Sequence, residues 1–332
     1  MEVAAALVEI HEQTDVAEAR RRAIERGAQL GFDEQALGRV SIAVTEAATN
    51  LLKHAGGGNI CIGPAAGRGG FGLQLLALDR GRGMANVPKS LRDGYSTAGT
   101  HGTGLGAISR AASLDLFTVP GKGTVLAGQM FPNGVEPLAL GGVSLAMPGE
   151  SECGDGWSVW SAGALTSVVV ADGLGHGPSA HSAAAIALAT FRRHAERSAA
   201  HVVEAIHGAL RSTRGAAIAV AELDQRQQTL HFCGIGNIGA LIVHPDGSTQ
   251  HLVSLSGIAG HVMRRVQPFS YAWPRGSVLV MFSDGIGSHW SLSAYEGLSA
   301  RRADVIAGVL MRDQRRGRDD ATVVAVKSGE EA

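Results

Sequence analysis

The feature that most constrains the fold of this chain is a set of carboxylates beside strongly apolar segments. Asp172 follows the run TSVVVA, and Asp284 follows SVLVMFS. The carboxylates placed in this way are Asp155, Asp172, Asp284, Asp319 and Asp320. A single Asp-Gly pair beside a strand is usually a turn, but three Asp-Gly pairs and one Asp-Asp pair exceed what turns require. The pattern therefore indicates strands whose ends carry a site.

Carboxylates that converge at strand ends repel one another. Two of them about 4 Å apart cost about 4 kcal/mol at an effective dielectric constant near 20, so such a cluster is tenable only with cations. A set of oxygen ligands favours magnesium or manganese over zinc or copper. His176, in GLGHG, is not at metal-ligand spacing from another histidine and is interpreted as a residue that shapes the loop.

Composition excludes several classes of protein for this 332-residue chain. The formal net charge is −1, so no field of one sign draws the chain onto nucleic acid or an anionic membrane. Hydrophobic residues make up 45%, which allows a buried core and argues against wholesale disorder. The 46 glycines are about twice the usual share, which indicates tight turns or loops that approach something closely.

Cysteine usage and the N-terminal sequence predict a cytoplasmic protein. Cys61, Cys153 and Cys233 are far apart and form no Cys-x-x-Cys pair, which argues against a disulfide framework or a structural zinc site. The N-terminal sequence MEVAAALVEIHEQTD has no basic region before its apolar stretch, unlike a signal peptide. No apolar run reaches the roughly 18 residues that a membrane span needs.

The N-terminal part of the chain has the pattern of an α+β domain. Apolar residues recur at helical spacing over 34–55, and glycines at 56–58 end that predicted helix. Glu46 and Asn50 lie four residues apart on it and share one face, with Lys53 one turn further along. This polar trio is either a solvated face of the helix or the wall of a site.

A second polar motif, DRGRGM, directly follows a predicted strand over 71–78. Its carboxylate, Asp79, is suited to hydrogen-bonding an exocyclic amine while the glycines let the backbone pass close to a ring. Further on, GYSTAGTHGTGLG at 94–106 runs into a predicted helix, and glycine-rich backbone at a helix N-terminus can cradle phosphate. No strand directly precedes this segment, which excludes a dinucleotide-binding βαβ unit.

The order of these motifs resembles the GHKL superfamily of ATPases and kinases, especially the small serine kinases of bacterial partner-switching systems. The resemblance covers about residues 3–130. It implies that Asn50 holds the magnesium ion on the ATP phosphates, that Glu46 is the general base toward the acceptor hydroxyl, and that Asp79 binds the adenine amino group. Lys53 and His54 are candidate helpers near the phosphates. The glycines implied to shape the pocket and lid are Gly81, Gly83, Gly102, Gly104 and Gly106.

The acidic motifs of the C-terminal part, GD, ADGLGHG, FSDGI and RDDATVVAV, resemble the SpoIIE/RsbX branch of the PPM-type metal-dependent Ser/Thr phosphatases. The resemblance covers about residues 142–327 and implies a pair of manganese or magnesium ions that activate a bridging water. Asp172 would bridge both ions with help from the Gly173 carbonyl. The other implied ligands are Asp155, Asp284 and Asp319, with Asp320 an open alternative to Asp319. The segment FCGIGNIGALI fits that family's central hairpin and is interpreted as structural.

Prolines and glycines concentrate between the two resemblances, which places a domain boundary there. The sequence predicts an N-terminal domain at 1–133, a linker at 134–141 and a C-terminal domain at 142–332. The expected fold class is α+β in two domains. The first is a GHKL (Bergerat) α/β sandwich, and the second is a PPM-type α-β-β-α sandwich.

The two resemblances together imply opposing activities on one substrate. The expected function is that of a bifunctional partner-switching regulator of bacterial stress or sigma-factor signalling, with an ATP-dependent Ser/Thr kinase followed by a metal-dependent phosphatase. The expected partners are STAS-domain proteins of the stressosome or anti-anti-sigma type, with no nucleic acid and no membrane. In the main alternative, the GHKL half senses ATP or ADP, or binds a partner, without transferring phosphate. A scaffold with two inactive halves is a third interpretation.

Overall fold

A computed structural model describes residues 4–87 and 104–329 of the chain, which divide into two compact units. The N-terminal unit consists of Ala5–Leu138 together with Ala300–Arg312 from the C-terminal part of the sequence. The C-terminal unit contains Ala139–Ser299 and the residues from Asp313 onward. Within the described ranges, no helix is long and apolar enough to cross a membrane.

The N-terminal unit is built on one antiparallel sheet. Its strands are β1 (Ala6–Ile10), β2 (Gly58–Arg68), β3 (Gly70–Leu78), β4 (Ser113–Val119), β5 (Gly123–Met130) and β6 (Glu136–Pro137). Among the described residues, its helices include α1 (Gln13–Gln29), α2 (Glu34–Asn50) and α3 (Gly104–Ala111). The strand order is β1-β2-β3-β5-β4, and β6 pairs with β2.

Helices α1, α2 and α3 pack on one face of this sheet. On α2, Val40, Val44 and Ala47 recur at helical spacing and are buried in the same core as Leu75 of β3 and Ile108 of α3. Burying this apolar stripe stabilises the helix. It also fixes which face of α2 points away from the core and can carry polar site residues.

The predicted helix over 34–55 changes geometry near its end. Helix α2 ends at Asn50, and Leu51–Ala55 form a π-helix. Gly56 then ends the helical run in the left-handed conformation, with φ at 75°, as a helix-ending glycine does. A π turn is rare and occurs often at functional sites. The α-helical spacing that puts Lys53 one turn beyond Asn50 therefore does not apply in this segment.

Two sheets form the C-terminal unit. The strands of the first are β8 (Asp155–Ala162), β9 (Leu165–Gly173), β10 (Ala216–Asp224), β11 (Thr229–Ile235), β14 (Ser254–Leu255) and β15 (Phe269–Ala272). Those of the second are β7 (Leu140–Leu145), β12 (Gly239–Val243), β13 (Thr249–His251), β16 (Val278–Phe282) and β17 (Ala321–Lys327). The strand orders are β14-β11-β10-β9-β8, with β15 on β11, and β13-β12-β16-β17-β7. In the described residues after strand β7, the α-helices are α4 (Pro178–His194), α5 (Ala199–Ala209) and α6 (Ala303–Gln314).

Glycines allow close packing on both faces of the first sheet. A Cβ on Gly156 of β8 would lie 2.7 Å from Leu188 of α4. A Cβ on Gly142 of β7 would lie 2.5 Å from the indole of Trp157, which is fully buried on β8. The first sheet therefore lies between helices and the second sheet, which explains why residues 168–171 of β9 are all apolar and buried.

Helix α6 belongs to the N-terminal unit as far as Arg312, and its last residues belong to the C-terminal unit. A Cβ on Gly308 would lie 2.9 Å from Val125 of β5 and 3.5 Å from both Leu76 and Leu78 of β3. Because alternate residues of a strand face opposite sides, Leu76 and Leu78 point away from the core that contains Leu75. Helix α6 therefore covers the face of the sheet opposite to α1, α2 and α3.

Four of the described strands, β6, β7, β14 and β15, are absent from the sequence prediction. Strand β7 includes residues 140 and 141 of the predicted linker, and its Leu145 pairs with Ala321 at the start of β17. Strands β14 and β15 span only Ser254–Leu255 and Phe269–Ala272. Such short segments are too brief to show the alternation of a strand.

Candidate functional site

Strand pairing brings the predicted metal ligands to one edge of the C-terminal unit. Asp155, at the start of β8, is the direct partner of Asp172 near the end of β9. Asp284 follows β16, and Asp319 and Asp320 precede β17, the neighbour of β16 in the second sheet. The predicted convergence of the strand ends therefore occurs in the structure.

Hydrogen bonds through Ser283 join Asp155 of the first sheet to Thr322 of the second. The Ser283 hydroxyl donates to Asp155 Oδ2 at 2.6 Å, and the Thr322 backbone N–H donates to the Ser283 hydroxyl at 2.9 Å. A Cβ on Gly285 would lie 1.9 Å from the Asp320 carbonyl oxygen. The turn after β16 is thus packed directly on the segment that carries Asp319 and Asp320.

The electrostatics of the cluster favour a cation. Burial, and then the negative charges of Asp155, Asp284, Asp319 and Asp320, raise the pKa of Asp172. Burial is also the main cause of the raised pKa of Asp155, although the Ser283 hydrogen bond opposes it. Burial and the charge of Asp319 raise the pKa of Asp284 as well. A site that penalises ionisation of its own carboxylates gains stability when a divalent cation compensates their charge.

The donor set fits a hard divalent cation, although its side chains are not arranged in coordination geometry. Among residues 4–87 and 104–329, no three acidic, histidine or cysteine side chains stand in a preformed metal-ion arrangement. The carboxylates accept hydrogen bonds instead, Asp155 from Ser283 and Asp284 from the Asn237 amide at 2.7 Å. All of the candidate donors are oxygen atoms, as magnesium and manganese prefer.

The geometry distinguishes Asp319 from Asp320, which the sequence leaves open. Asp320 is buried, and its two carboxylate oxygens accept backbone N–H groups, from Met147 at 2.8 Å and from Gly154 at 2.9 Å. Asp319 is partly exposed, and its Oδ1 accepts the backbone N–H of Asp320 at 2.9 Å. The backbone bonds hold Asp320 as an anchor between segments, while Asp319 keeps more carboxylate surface available.

Asn237 is a site residue that the sequence interpretation misses. It lies in FCGIGNIGALI, interpreted above as structural, yet its amide donates to Asp284. The local signal is an asparagine that follows Gly236 in the short connection between strands β11 and β12. The contact partner is 47 residues away, so local pattern cannot identify it. His176, the predicted loop-shaping residue, contacts Glu150 through Nδ1 and Oε1 at 2.6 Å.

In the N-terminal unit, Asp79 lies directly after β3 and half-buried in a tight turn. Its Oδ1 accepts backbone N–H groups from Gly81 at 2.8 Å and Thr124 at 3.2 Å. Burial raises the pKa of this carboxyl, and the two backbone hydrogen bonds and Arg312 oppose that rise. Within the described part of the chain, Oδ2 has no hydrogen bond, so it remains able to accept one from an amine.

Glycines shape the turn around Asp79. A Cβ on Gly81 would lie 2.7 Å from Ala55 Cα, so the turn abuts the end of the π-helix. Gly83 has φ at 65°, and a Cβ there would lie 2.3 Å from the Val119 carbonyl oxygen. Both positions exclude a side chain for steric reasons.

Glu46 and Asn50 meet the start of helix α3. A Cβ on Gly104 would lie 3.0 Å from Asn50 Oδ1 and 3.3 Å from Glu46 Oε2. Gly106 is buried on the same helix, whereas Gly102 lies outside the described residues. The structure therefore brings together the carboxylate, the amide and the helix start that the predicted phosphate site requires.

Lys53 and His54 lie on the π-helix that links α2 to the Asp79 turn. Lys53 is exposed, and His54 is partly buried. Burial, and then the charges of Arg82 and Lys53, lower the pKa of His54. The positive charges of Arg82 and Lys53 would favour an anionic ligand here.

Two family models match the chain. The model described as stage II sporulation protein E (SpoIIE) matches residues 163–328, which is half of the chain. The model described as a histidine kinase-like ATPase domain matches residues 11–126.

Two bacterial proteins are similar to different parts of the chain. The serine/threonine-protein kinase RsbT of Bacillus subtilis is 36% identical over 118 residues, which cover 35% of this chain and 89% of RsbT. The phosphoserine phosphatase RsbX of the same organism is 23% identical over 138 residues, which cover 42% of this chain and 69% of RsbX.

Solved structures agree with the fold. A chain from work on the bacterial stressosome as a modular system is 28% identical, with a TM-score of 0.52, and the match covers 57% of this chain and 98% of that chain. A crystal structure of RsbX in complex with magnesium is 22% identical, with a TM-score of 0.51, and the match covers 55% and 92%. The predicted fold class and the two predicted resemblances are confirmed.

Proposed function

The chain belongs to the SpoIIE family in its C-terminal half and to the RsbT-type kinases in its N-terminal part, and we propose that it is a cytoplasmic, bifunctional partner-switching regulator. Its N-terminal unit phosphorylates serine or threonine on a STAS-domain protein with ATP. Its C-terminal unit removes that phosphate. One observation carries the proposal: among the described residues, each unit brings candidate active-site residues together, around Asn50 in one and around Asp172 in the other.

The relatives support this assignment of substrates. RsbT is named as a serine/threonine-protein kinase and RsbX as a phosphoserine phosphatase, so the two units resemble enzymes that add and remove the same group. A third similar chain comes from a stressosome study. A STAS-domain protein of the stressosome or anti-anti-sigma type is the partner that fits all three.

In the phosphatase unit, Asp155, Asp172, Asp284 and Asp319, with the Gly173 carbonyl, would hold a pair of manganese or magnesium ions. When bound, such a pair supplies a water nucleophile at neutral pH and neutralises phosphoryl charge. The protein's own contribution is orientation. Ser283 directs Asp155, Asn237 directs Asp284, and Asp320 fixes the Asp319 segment through Met147 and Gly154.

In the kinase unit, Asp79 binds the adenine amino group through Oδ2, since the hydrogen bonds that its carboxylate accepts from described residues are on Oδ1. Asn50 would hold the magnesium ion of ATP, and Glu46 accepts the proton of the attacking hydroxyl. The start of α3, at Gly104 and Gly106, offers backbone N–H groups to the phosphates. Lys53 and His54 add positive or polar character on the adjoining π-helix.

Hydrolysis of a phosphoserine STAS protein tests the phosphatase. Manganese should support hydrolysis by the wild-type chain, EDTA should abolish it, and Asp172→Ala should be inactive because it lacks a carboxylate that would hold the metal ions. Activity that survives EDTA would overturn the two-metal proposal.

Phosphate transfer tests the kinase. The Asp284→Ala variant silences the phosphatase, so a phosphorylated STAS protein should accumulate with ATP and magnesium. Glu46→Gln in the same background should bind ATP but transfer little phosphate, because it lacks the base. If Asp284→Ala binds ATP and forms no phosphoprotein, the N-terminal unit is an ATP- or ADP-sensing or partner-binding module instead.

A further inference from the structure

A helix from the phosphatase-like region of the sequence is part of the N-terminal unit. Residues 300–312 fall inside the region matched by the SpoIIE model, yet they form part of the compact unit of residues 5–138. Arg302 fastens the start of this helix, since its guanidinium donates to the Ser113 carbonyl at 2.8 Å and its backbone N–H donates to Asp115 at 2.8 Å. Gly308 then allows close packing on β3 and β5.

The far end of the same helix holds the Asp79 turn. Arg312 Nη1 donates to the Asp79 carbonyl oxygen at 3.1 Å. In return, the Arg80 guanidinium donates to the Arg312 carbonyl oxygen. The turn that presents the proposed adenine-binding carboxylate is therefore hydrogen-bonded to α6 in both directions.

The chain then continues directly to the metal ligands. Six residues separate Arg312 from Asp319. Within the C-terminal unit, the Gln314 carbonyl accepts the Gly287 N–H at 2.8 Å, and the Arg316 N–H donates to the Gly285 carbonyl at 2.9 Å. These bonds fasten residues 313–320 to the turn that follows Asp284.

We propose that residues 300–320, here called the connecting segment, couple nucleotide binding at Asp79 to metal binding at Asp284 and Asp319. The nucleotide thus regulates the phosphatase of its own chain. The proposal rests on the proposed functions of the two units. Its physical basis is that the connecting segment is hydrogen-bonded to the Asp79 turn near one end and to the turn after Asp284 near the other. A ligand that shifts one of these turns therefore changes the free energy of ligand binding at the other. Such coupling must be reciprocal.

The test uses the full chain with p-nitrophenyl phosphate as substrate and ADP as the nucleotide. With free manganese held constant by a metal buffer, ADP should shift the manganese concentration for half-maximal hydrolysis by about fivefold or more. ADP affinity is measured separately by calorimetry. Hydrogen exchange should show that ADP changes protection in 303–312 and also in 313–320.

Arg312→Ala should abolish the ADP-induced shift, whereas Arg20→Ala, a matched loss of an exposed arginine on α1, should keep it. If Arg312→Ala does not fold, Arg80→Ala breaks the reciprocal hydrogen bond and serves in its place. Arg312→Lys should restore part of the shift.

A failure of the coupling and a failure of the proposed function give different results. If ADP binds and neither the manganese dependence nor exchange in 313–320 changes, the coupling is wrong and the proposed activities stand. If ADP does not bind at all, the proposed function of the N-terminal unit is itself wrong.

Discussion

At the scale of the residue, Asp172 is the side chain on which most of the site's electrostatics act. It is partly buried, and the negative charges of four other carboxylates act on it. A buried charge without a compensating partner is destabilising by several kcal/mol. The metal-free cluster is therefore a source of instability that a divalent cation relieves.

Asp172→Asn should stabilise the metal-free protein and remove its response to metal. The amide keeps the shape of the side chain without its charge. The free energy of unfolding in EDTA should therefore rise by about 1–3 kcal/mol, within the range found when buried charges are replaced. Manganese should raise the melting temperature of the wild type but not of Asp172→Asn. Scanning calorimetry measures both effects. Equal stabilisation of the two proteins by manganese would contradict the role of Asp172.

Cys233 should be inert to thiol reagents in the native protein. It is fully buried, and burial raises its pKa to about 11. At pH 8 only about one molecule in a thousand then carries the reactive thiolate. Cys61 and Cys153 are buried too, so Ellman's reagent should react slowly with native protein and with all three thiols in denaturant. A fast-reacting thiol in the native protein would be inconsistent with this packing.

At the scale of the element, the turn after β16 shows how closely a glycine allows two segments of the proposed metal site to pack. Gly285 faces the Asp320 carbonyl so closely that a Cβ would lie 1.9 Å from its oxygen. At Gly287 the nearest atom to a Cβ would be the Gln314 carbonyl oxygen, at an ordinary 3.5 Å. Neither glycine has a positive φ, so the difference between them is one of space alone.

Gly285→Ala should therefore weaken manganese binding by about tenfold or more, because the methyl group pushes the Asp319–Asp320 segment away from Asp284. Gly287→Ala is the matched control and should stay close to the wild type. Manganese titrations of phosphatase activity and of melting temperature measure the difference. Equal behaviour of the two variants would show that the turn does not position the ligands.

At the scale of the whole molecule, the N-terminal unit depends on sequence from the other end of the chain. Asp304 of α6 is fully buried and forms an ion pair with Arg302 at 2.5 Å. The Arg302 guanidinium also donates to Ser113 of β4. This pair, with a fully buried carboxylate and an arginine side chain that is 28% exposed, fastens α6 to the sheet. In the pair of Arg301 and Asp115, the arginine side chain is 49% exposed.

Arg302→Ala should destabilise the protein by about 3–5 kcal/mol, because it leaves the Asp304 carboxylate buried without its partner. Arg301→Ala should cost only about 0–1 kcal/mol, as exposed ion pairs do. Adding Asp304→Ala to Arg302→Ala should recover part of the loss, since the orphaned charge is then removed. Chemical denaturation of the full chain gives these free energies. Similar losses for Arg301→Ala and Arg302→Ala would argue against the buried pair as the anchor.

The sequence by itself determined the features that depend on local pattern. Asp172 and Asp284 are recognisable because each ends an apolar strand and precedes a glycine, and Glu46 and Asn50 share a helical face because they lie four residues apart. Helix periods and glycine stops likewise predicted most elements, and the order of the motifs carried both family resemblances.

Only the tertiary structure decided the relations between distant residues. It brought the Asn237 amide to the Asp284 carboxylate and distinguished the anchoring Asp320 from the more exposed Asp319. It placed helix α6 on the N-terminal sheet. It also turned part of the predicted linker into β7 and the end of the second helix into a π-helix. The physical reason is that these outcomes come from long-range hydrogen bonds and packing, which leave no period or spacing in the local sequence.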